Sequence, residues 1–152
     1  MKMKTTVDKL VAVYMEGGNH SKWYPKCLSS KVVPKISDAK LQIYLGIDKP
    51  WPVQDRDYVI EAELTRNPET GEAIMRYQEA EGAMPERKHV VRMKKIRGQW
   101  KFTPTDDGQV VATYVLLFDP GGSTPSSFIN MALSKIGADT FDGMYRYAER
   151  AQ

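Results

Sequence analysis

From Phe118 the sequence reads F-D-P-G-G-S-T-P and then carries an unbroken amphipathic pattern to about Arg150. The run closes a strand, turns on Gly121 and Gly122, and opens a helix. Thr124 suits the N-cap, and Pro125 suits the first helical position, where its missing N–H would have no partner anyway. At 100° per residue, Ile129, Leu133, Ile136, Thr140, Met144 and Tyr147 share one stripe. Lys135, Asp139, Asp142, Arg146 and Glu149 fall on the opposite face, with two opposite-charge pairs at i,i+4. A long helix with one apolar stripe, arriving after a series of strands, needs a concave sheet to bury it. Gly137 and Gly143 are its soft points. Thr140 and Gly143 also leave the inward face lean, which hints at a cavity.

The preceding segment supplies that sheet. Strands are expected at 28–37, 40–46, 56–66, 73–81, 88–104 (bent or broken at Arg97-Gly98) and 109–119. Turn signals separate them at Ser37-Asp38, N-P-E-T-G from Asn67, Gly82 to Glu86, and Asp106-Asp107-Gly108. Short connections imply antiparallel neighbours, because parallel strands need crossover segments. Ile60, Ala62 and Leu64 alternate with Glu61 and Glu63, and Val110, Ala112, Tyr114, Leu116 and Phe118 lie on one face. Residues 1–5 read as a short strand. Thr6 caps a helix in which Val7, Leu10, Val11 and Tyr14 repeat at i, i+3, i+4, i+7, and Gly17 and Gly18 end it. A second helical turn, 19–24, stops at Pro25. The fold class is α+β: one domain, a curved antiparallel sheet wrapped around a C-terminal helix, with two short helices near the N-terminus.

Composition removes several function classes. At 152 residues the chain is one domain. Its net charge of +3 is small and spread along the chain, which argues against nucleic acid. The single Cys27 excludes an internal disulfide and a Cys-rich zinc site. No apolar run approaches the ~20 residues of a membrane span. The start M-K-M-K-T-T lacks the apolar core of a secretory signal, so a cytoplasmic location is expected. His20 and His89 show no metal-ligand spacing, and nucleophile-elbow, phosphate-loop and dinucleotide motifs are lacking. Neither a cofactor nor a metal is expected.

Four strings in order, P-W-P-V-Q-D-R-D-Y-V from Pro50, H-V-V-R from His89, G-Q-W-K-F-T-P from Gly98 and D-P-G-G-S-T-P-S-S-F-I-N from Asp119, make the chain resemble a START domain. START domains are the lipid-transfer branch of the helix-grip (Bet v 1-like, SRPBCC) superfamily. The family usually has more chain before the first small helix, whereas about six residues precede it here. That looks like a minimal, bacterial-type form or a truncated start. The resemblance implies a ligand tunnel between sheet and C-terminal helix.

A helix laid across a strongly curved sheet leaves an apolar-walled space, and a hydrophobic molecule is its natural occupant. Candidate wall residues are Tyr44, Met75, Tyr77, Met93, Tyr114 and Leu116 from the sheet, and Ile129, Leu133, Ile136, Thr140 and Met144 from the helix. Eight Met and eight Tyr suit an adaptable pocket with polar tips, although the same residues at these spacings also read as plain core. Arg56 reads either as a contact to a ligand head group or as an anchor of its loop. Arg92, if turned inward, needs a carboxylate, with Glu79 the candidate partner. The rim loops 46–54 and 121–124 hold Trp51, Gly121 and Gly122 as portal candidates, with Lys49 and Trp51 suited to brief membrane contact.

Two functions fit. One is non-catalytic binding and transfer of a lipid or other hydrophobic small molecule by a monomer. The alternative is an enzyme of the polyketide cyclase or aromatase type, with Tyr77, Tyr114 or Glu79 moving protons. A protein-interaction role for the outer sheet face is a weaker third.

Overall fold

The computed structural model describes residues 1–49, 54–119 and 126–150, the side chains of 118–119 and 126–136 excepted. In chain order the elements are β1 (Lys2–Met3), α1 (Val7–Met15), a 3-10 turn (His20–Lys22), β2 (Cys27–Ser37), β3 (Lys40–Ile47), β4 (Arg56–Arg66), β5 (Ala73–Glu79), β6 (Val91–Arg92), β7 (Lys94–Pro104), β8 (Val110–Asp119) and α2 (Ser126–Arg150). The strands form one sheet in the order β1-β8-β7-β5-β4-β3-β2, antiparallel along that path. The short β6 departs from the expected all-antiparallel pattern by pairing parallel to the start of β4.

Period-two alternation builds one face of this sheet into the core. Leu41, Ile43, Leu45 and Ile47 of β3 lie opposite Ala62, Ile60, Tyr58 and Arg56 of β4. The same face continues through Met75 and Tyr77, Trp100 and Phe102, and Val110 and Ala112. α1 follows from its cap: the Thr6 hydroxyl accepts from the Lys9 N–H at 3.2 Å, and Leu10, Val11 and Tyr14 are buried. Gly17, at φ +66°, lets the chain leave the helix. α2 sets Thr140, Met144 and Ala148 into the core, and Phe141 meets Trp100 edge-on at 5.5 Å. The helix therefore packs on the inner face of the sheet and beside α1.

Two expectations need correction. The long strand at 88–104 is instead a loop followed by β6 and β7, with the break at Met93 and a register shift between Lys94 and Arg97 in which Lys95 takes φ +57°. Gly98 stays in regular pairing between Tyr77 and Leu116, and its missing side chain has a cause: a Cβ there would lie 2.6 Å from the Tyr77 hydroxyl. Gly143 does not leave room for a cavity. A Cβ at Gly143 would meet the Trp23 carbonyl oxygen at 2.1 Å, so the bare helix backbone is already filled by the 3-10 turn's exit. The Thr124 cap and Pro125 lie outside the described residues.

The two helix glycines should respond oppositely to alanine. Gly143→Ala forces the helix off Trp23 and should cost ~1–3 kcal/mol or more as an overpacking change. Nothing lies within 4 Å of a Cβ at Gly137, so Gly137→Ala should stabilise by up to ~1 kcal/mol through helix propensity. Urea unfolding of both variants decides it; equal effects would contradict the packing described.

Candidate functional site

The inner face is unusually rich in phenols. Tyr14 comes from α1, Tyr24 from the exit of the 3-10 turn, Tyr58 from β4, Tyr77 from β5 and Tyr114 from β8. Strand parity places the last three, and capping geometry places the first two. The Tyr24 and Tyr114 hydroxyls lie 3.3 Å apart. The Tyr77 hydroxyl donates to the Val115 carbonyl at 3.3 Å, reaching across the space above Gly98. Aromatic rings wall this set: Tyr114 stacks on Trp100 at 4.3 Å, Tyr14 on Tyr77 at 6.4 Å, and Trp23 meets Tyr24 edge-on at 5.7 Å.

Burial is the main force on these groups, and neighbouring phenols add to it. Together they hold Tyr14, Tyr58 and Tyr114 well above the ordinary phenol range. Tyr77 and Tyr24 are raised too, again chiefly by desolvation. Tyr24 and Tyr114 nonetheless retain accessible surface, as do Leu116 and Phe141. Both tyrosines thus keep accessible surface while burial desolvates their hydroxyls.

The candidates named from sequence divide into several groups. Tyr77, Tyr114 and Leu116 share the inner face with the phenol cluster. Met75, Thr140 and Met144 have no accessible surface and pack as core, the Thr140 hydroxyl finding no hydrogen-bond partner. Met93 is buried just after β6. Arg56 lies on the inner face beside Tyr58, buried, and donates to the Gln54 carbonyl, which fits the anchoring of its loop. The side chains of Ile129, Leu133 and Ile136, and residues Trp51, Gly121 and Gly122, lie outside the described residues.

Tyr44 and Arg92 are corrections, because both lie on the outer face. The Tyr44 hydroxyl donates to Asp57 Oδ2 at 3.0 Å and accepts from Arg87 at 3.0 Å. Arg92 pairs with Asp57, not Glu79: Nε donates to Oδ1 at 2.7 Å and Nη2 to Oδ2 at 3.3 Å. Its remaining donors reach the Met84 and Pro85 carbonyls at 2.9 and 3.0 Å. Asp57 is fully buried and the Arg92 side chain only 11% exposed, so the pair clamps the 80–90 segment onto the sheet. Glu79 instead accepts from the Lys95 N–H at 2.9 Å. Elsewhere on this face lies a shallow groove of about 640 Å³. Glu61, Glu63, Arg76 and Arg97 give it charged walls unlike those of an apolar pocket.

His20 was read only as part of a helical turn, yet it is buried against Tyr14 and Trp23, with ring centroids 5.0 and 4.7 Å away. Its Nδ1 lies 2.9 Å from the Gly17 carbonyl and so carries the hydrogen, leaving a buried Nε2 without a partner. Burial lowers its pKa to about 4. Tyr14, Tyr24 and Tyr58 were also not named as wall residues from sequence, although Tyr58 follows from extending the Ile60/Ala62 alternation by one step.

Two outcomes follow from these placements. Removing Arg92 strands a buried carboxylate, so Arg92→Met should cost ~3–5 kcal/mol in urea unfolding. The variant that remains folded should take up hydrophobic ligand like the parent, whereas lost uptake would return Arg92 to the binding site. For His20, the unfolded chain takes up its proton near pH 6.5 and the folded one only near 4. Stability contributed by the neutral ring is therefore present above about pH 6.5 and lost as pH falls toward 4. In His20→Phe, the slope of unfolding free energy against pH in this window should be smaller by up to ~1.4 kcal/mol per pH unit. An unchanged slope would contradict the buried neutral imidazole.

Comparison with known proteins agrees with this architecture. A family model described as the START domain matches residues 1–150. The chain is 31% identical over 149 residues to an uncharacterized Pseudomonas aeruginosa protein, covering 97% of this chain and 72% of that one. It is 29% identical over 140 residues to the phosphatidylcholine transfer protein of Bos taurus, covering 88% of this chain but 63% of the bovine one. Among solved structures, a STAR-related lipid transfer protein fragment from Xanthomonas axonopodis superposes with a TM-score of 0.87 at 27% identity, covering 98% and 82% of the two chains. A Streptomyces aromatase/cyclase, at 13% identity and a TM-score of 0.65 over 99% and 90%, shares the fold alone. With its sheet closed over a C-terminal helix and the family match running from first residue to helix end, this chain belongs to the START domain family.

Proposed function

We propose that this chain binds a lipid or other hydrophobic small molecule between the sheet and α2, and carries it without altering it chemically. The observation that carries this reading is the accessible surface that Tyr24 and Tyr114 keep beside desolvated hydroxyls, among the inner-face residues that include Leu116 and Phe141. An alkyl or ring surface placed against such walls gains about 25 cal/mol per Å² of apolar area removed from water. Part of that gain is offset by the cost of immobilising the ligand. Family membership supports a hydrophobic ligand, and the bovine relative's name supports transfer.

The state of the inner groups favours a carrier over a cyclase-like enzyme. A general base must be deprotonated near the working pH. Burial holds the inner phenols protonated there, so Tyr77 and Tyr114 serve as hydrogen-bonding groups and not as bases. Lys49, named from sequence for membrane contact, is half-buried, and desolvation followed by the nearby Arg56 lowers its pKa.

Native mass spectrometry of the purified protein, paired with solvent extraction, tests the proposal. The expected result is a discrete mass increment that extraction releases as an unmodified hydrophobic molecule. Movement of a fluorescent lipid between vesicles should then depend on protein concentration. A folded protein that takes up no lipid, or that returns a supplied ligand as a new product, would sink the carrier reading.

A further inference from the structure

The groove on the outer face of the sheet has a floor whose side chains are laid out by strand register. Glu61, Gln78, Arg97 and Leu117 pair in one row across β4, β5, β7 and β8. Glu63, Arg76, Gln99 and Val115 form the next row on the same face. Arg76, Arg97, Gln78 and Gln99 thereby occupy the corners of one cell, with the two arginines on a diagonal. The cell measures about 5 Å between strands and roughly 7 Å along them. Glu61 and Glu63 close one end of the groove, and Val115 and Leu117, 45% and 52% exposed, form the other. The charged residues around the cell already have partners. Lys40 lies 3.6 Å from Glu61 and from Glu63, Gln42 donates to Glu61 at 3.3 Å, and Lys101 lies 3.6 Å from Glu72. Glu63 stands directly opposite Arg76 in the ladder, yet Lys40 takes its carboxylate. None of the four corner side chains makes a hydrogen bond or an ion pair among the described residues.

We propose that this groove is a second ligand site, which takes a soluble phosphate monoester, its oxyanion held between Arg76 and Arg97 and its apolar part resting on Val115 and Leu117. Two guanidiniums without a carboxylate partner match the charge of a monoester, about −2 slightly above neutral pH. Each guanidinium is a planar fork of donors that fits phosphate oxygens, and the Gln78 and Gln99 amides add further donors. A single carboxylate would satisfy one fork and leave the other arginine unpaired. Glu61 and Glu63 set the orientation, because they repel a second anionic group and turn the body of the ligand toward Val115 and Leu117. The groove, about 640 Å³, has the size of a small-molecule site. It lies across the sheet from the phenols, so this inference is independent of the carrier reading.

Phenyl phosphate is the probe, compared with inorganic phosphate, methyl phenyl phosphate and benzoate. Each is titrated slightly above neutral pH into the full chain while NMR follows the side-chain N–H signals of arginine and glutamine. Shifts should centre on Arg76, Arg97, Gln78 and Gln99. The diester and benzoate, with one charge each, should bind about tenfold more weakly than phenyl phosphate, the loss expected for one charge-assisted hydrogen bond. Arg76→Gln and Arg97→Gln should each weaken phenyl phosphate by at least about tenfold for the same reason. Leu117→Ser should weaken phenyl phosphate about threefold through lost apolar contact and leave inorganic phosphate unchanged. Lys101→Gln, which removes a paired charge outside the groove, should change affinity by less than about twofold. If a variant fails to fold, the wild-type ranking and the location of the shifts decide. A folded protein that binds no phenyl phosphate overturns the inference. Equal losses in the Lys101 and arginine variants would mean diffuse attraction and no site. Shifts confined to the residues around Tyr24 and Tyr114 would place the probe on the inner face. Anionic vesicles bound through Arg76 and Arg97, with phenyl phosphate unbound, would make the groove a membrane contact. Each of these three outcomes also overturns the inference, and none removes the carrier reading.

Discussion

The chain's two ends meet backbone against backbone where Gly143 of α2 sits on the carbonyl of Trp23. A helix shares no hydrogen-bond ladder with a sheet, so side-chain packing and close approach alone fix where it sits. At Gly143 the approach is so near that no other residue fits without displacing one element. Trp23 is held in turn by its indole N–H on Asn19 and by the rings of His20 and Tyr14. Its chain neighbour is Tyr24, whose hydroxyl lies 3.3 Å from that of Tyr114 on the inner side. The seat of the C-terminal helix and the polar lining of the interior therefore share a few consecutive residues. A change that loosens one disturbs the other.

The two faces of the sheet solve the problem of buried polarity differently. On the outer side, Asp57 and Arg92 meet as a buried ion pair whose further hydrogen bonds go to Tyr44 and to loop carbonyls. Such a pair is rigid because each charge is intolerable alone. On the inner side, apart from Arg56 at the start of β4, the clustered polar groups are neutral phenols, which lose far less on desolvation and rearrange at low cost. Charge thus locks the wall, and neutral hydroxyls line the interior.

Much of this was legible in the chain. The stripe Thr140/Met144 and the alternation Ile60/Ala62 declare their faces because one side of each element is buried and the other wet. β3 defeats that logic: residues 43 to 47 are all buried, with Arg87 of the 80–90 segment reaching Tyr44 on the outer side and the end of α1 lying against Leu41 and Ile43 on the inner. With no wet face to mark the parity, Tyr44 reads as inward when it is not. Arg92 fails for a related reason, as its short strand pairs with β4 and not with the neighbours a long hairpin would supply. Gly143 was read as empty space, because a sequence shows a missing side chain and not the carbonyl that takes its place. The phenol cluster was half visible. Tyr77 and Tyr114 announce themselves by strand parity, but Tyr24 arrives from a non-repeating turn, and no local pattern couples it to a residue 90 positions away.

The Gly143 contact also makes α2 a lever with an off-centre pivot. Between Ser126 and Gly143 lie seventeen residue steps, against seven from Gly143 to Arg150. At about 1.5 Å per residue the arms are roughly 26 and 10 Å. Rocking the axis by about 10° about this point sweeps the long arm's tip through roughly 4 to 5 Å while the short arm moves less than half as far. The stiffness of a helix delivers that travel without breaking any of its own hydrogen bonds. A side chain no larger than a hydrogen atom is thus what gives the long arm its mechanical advantage.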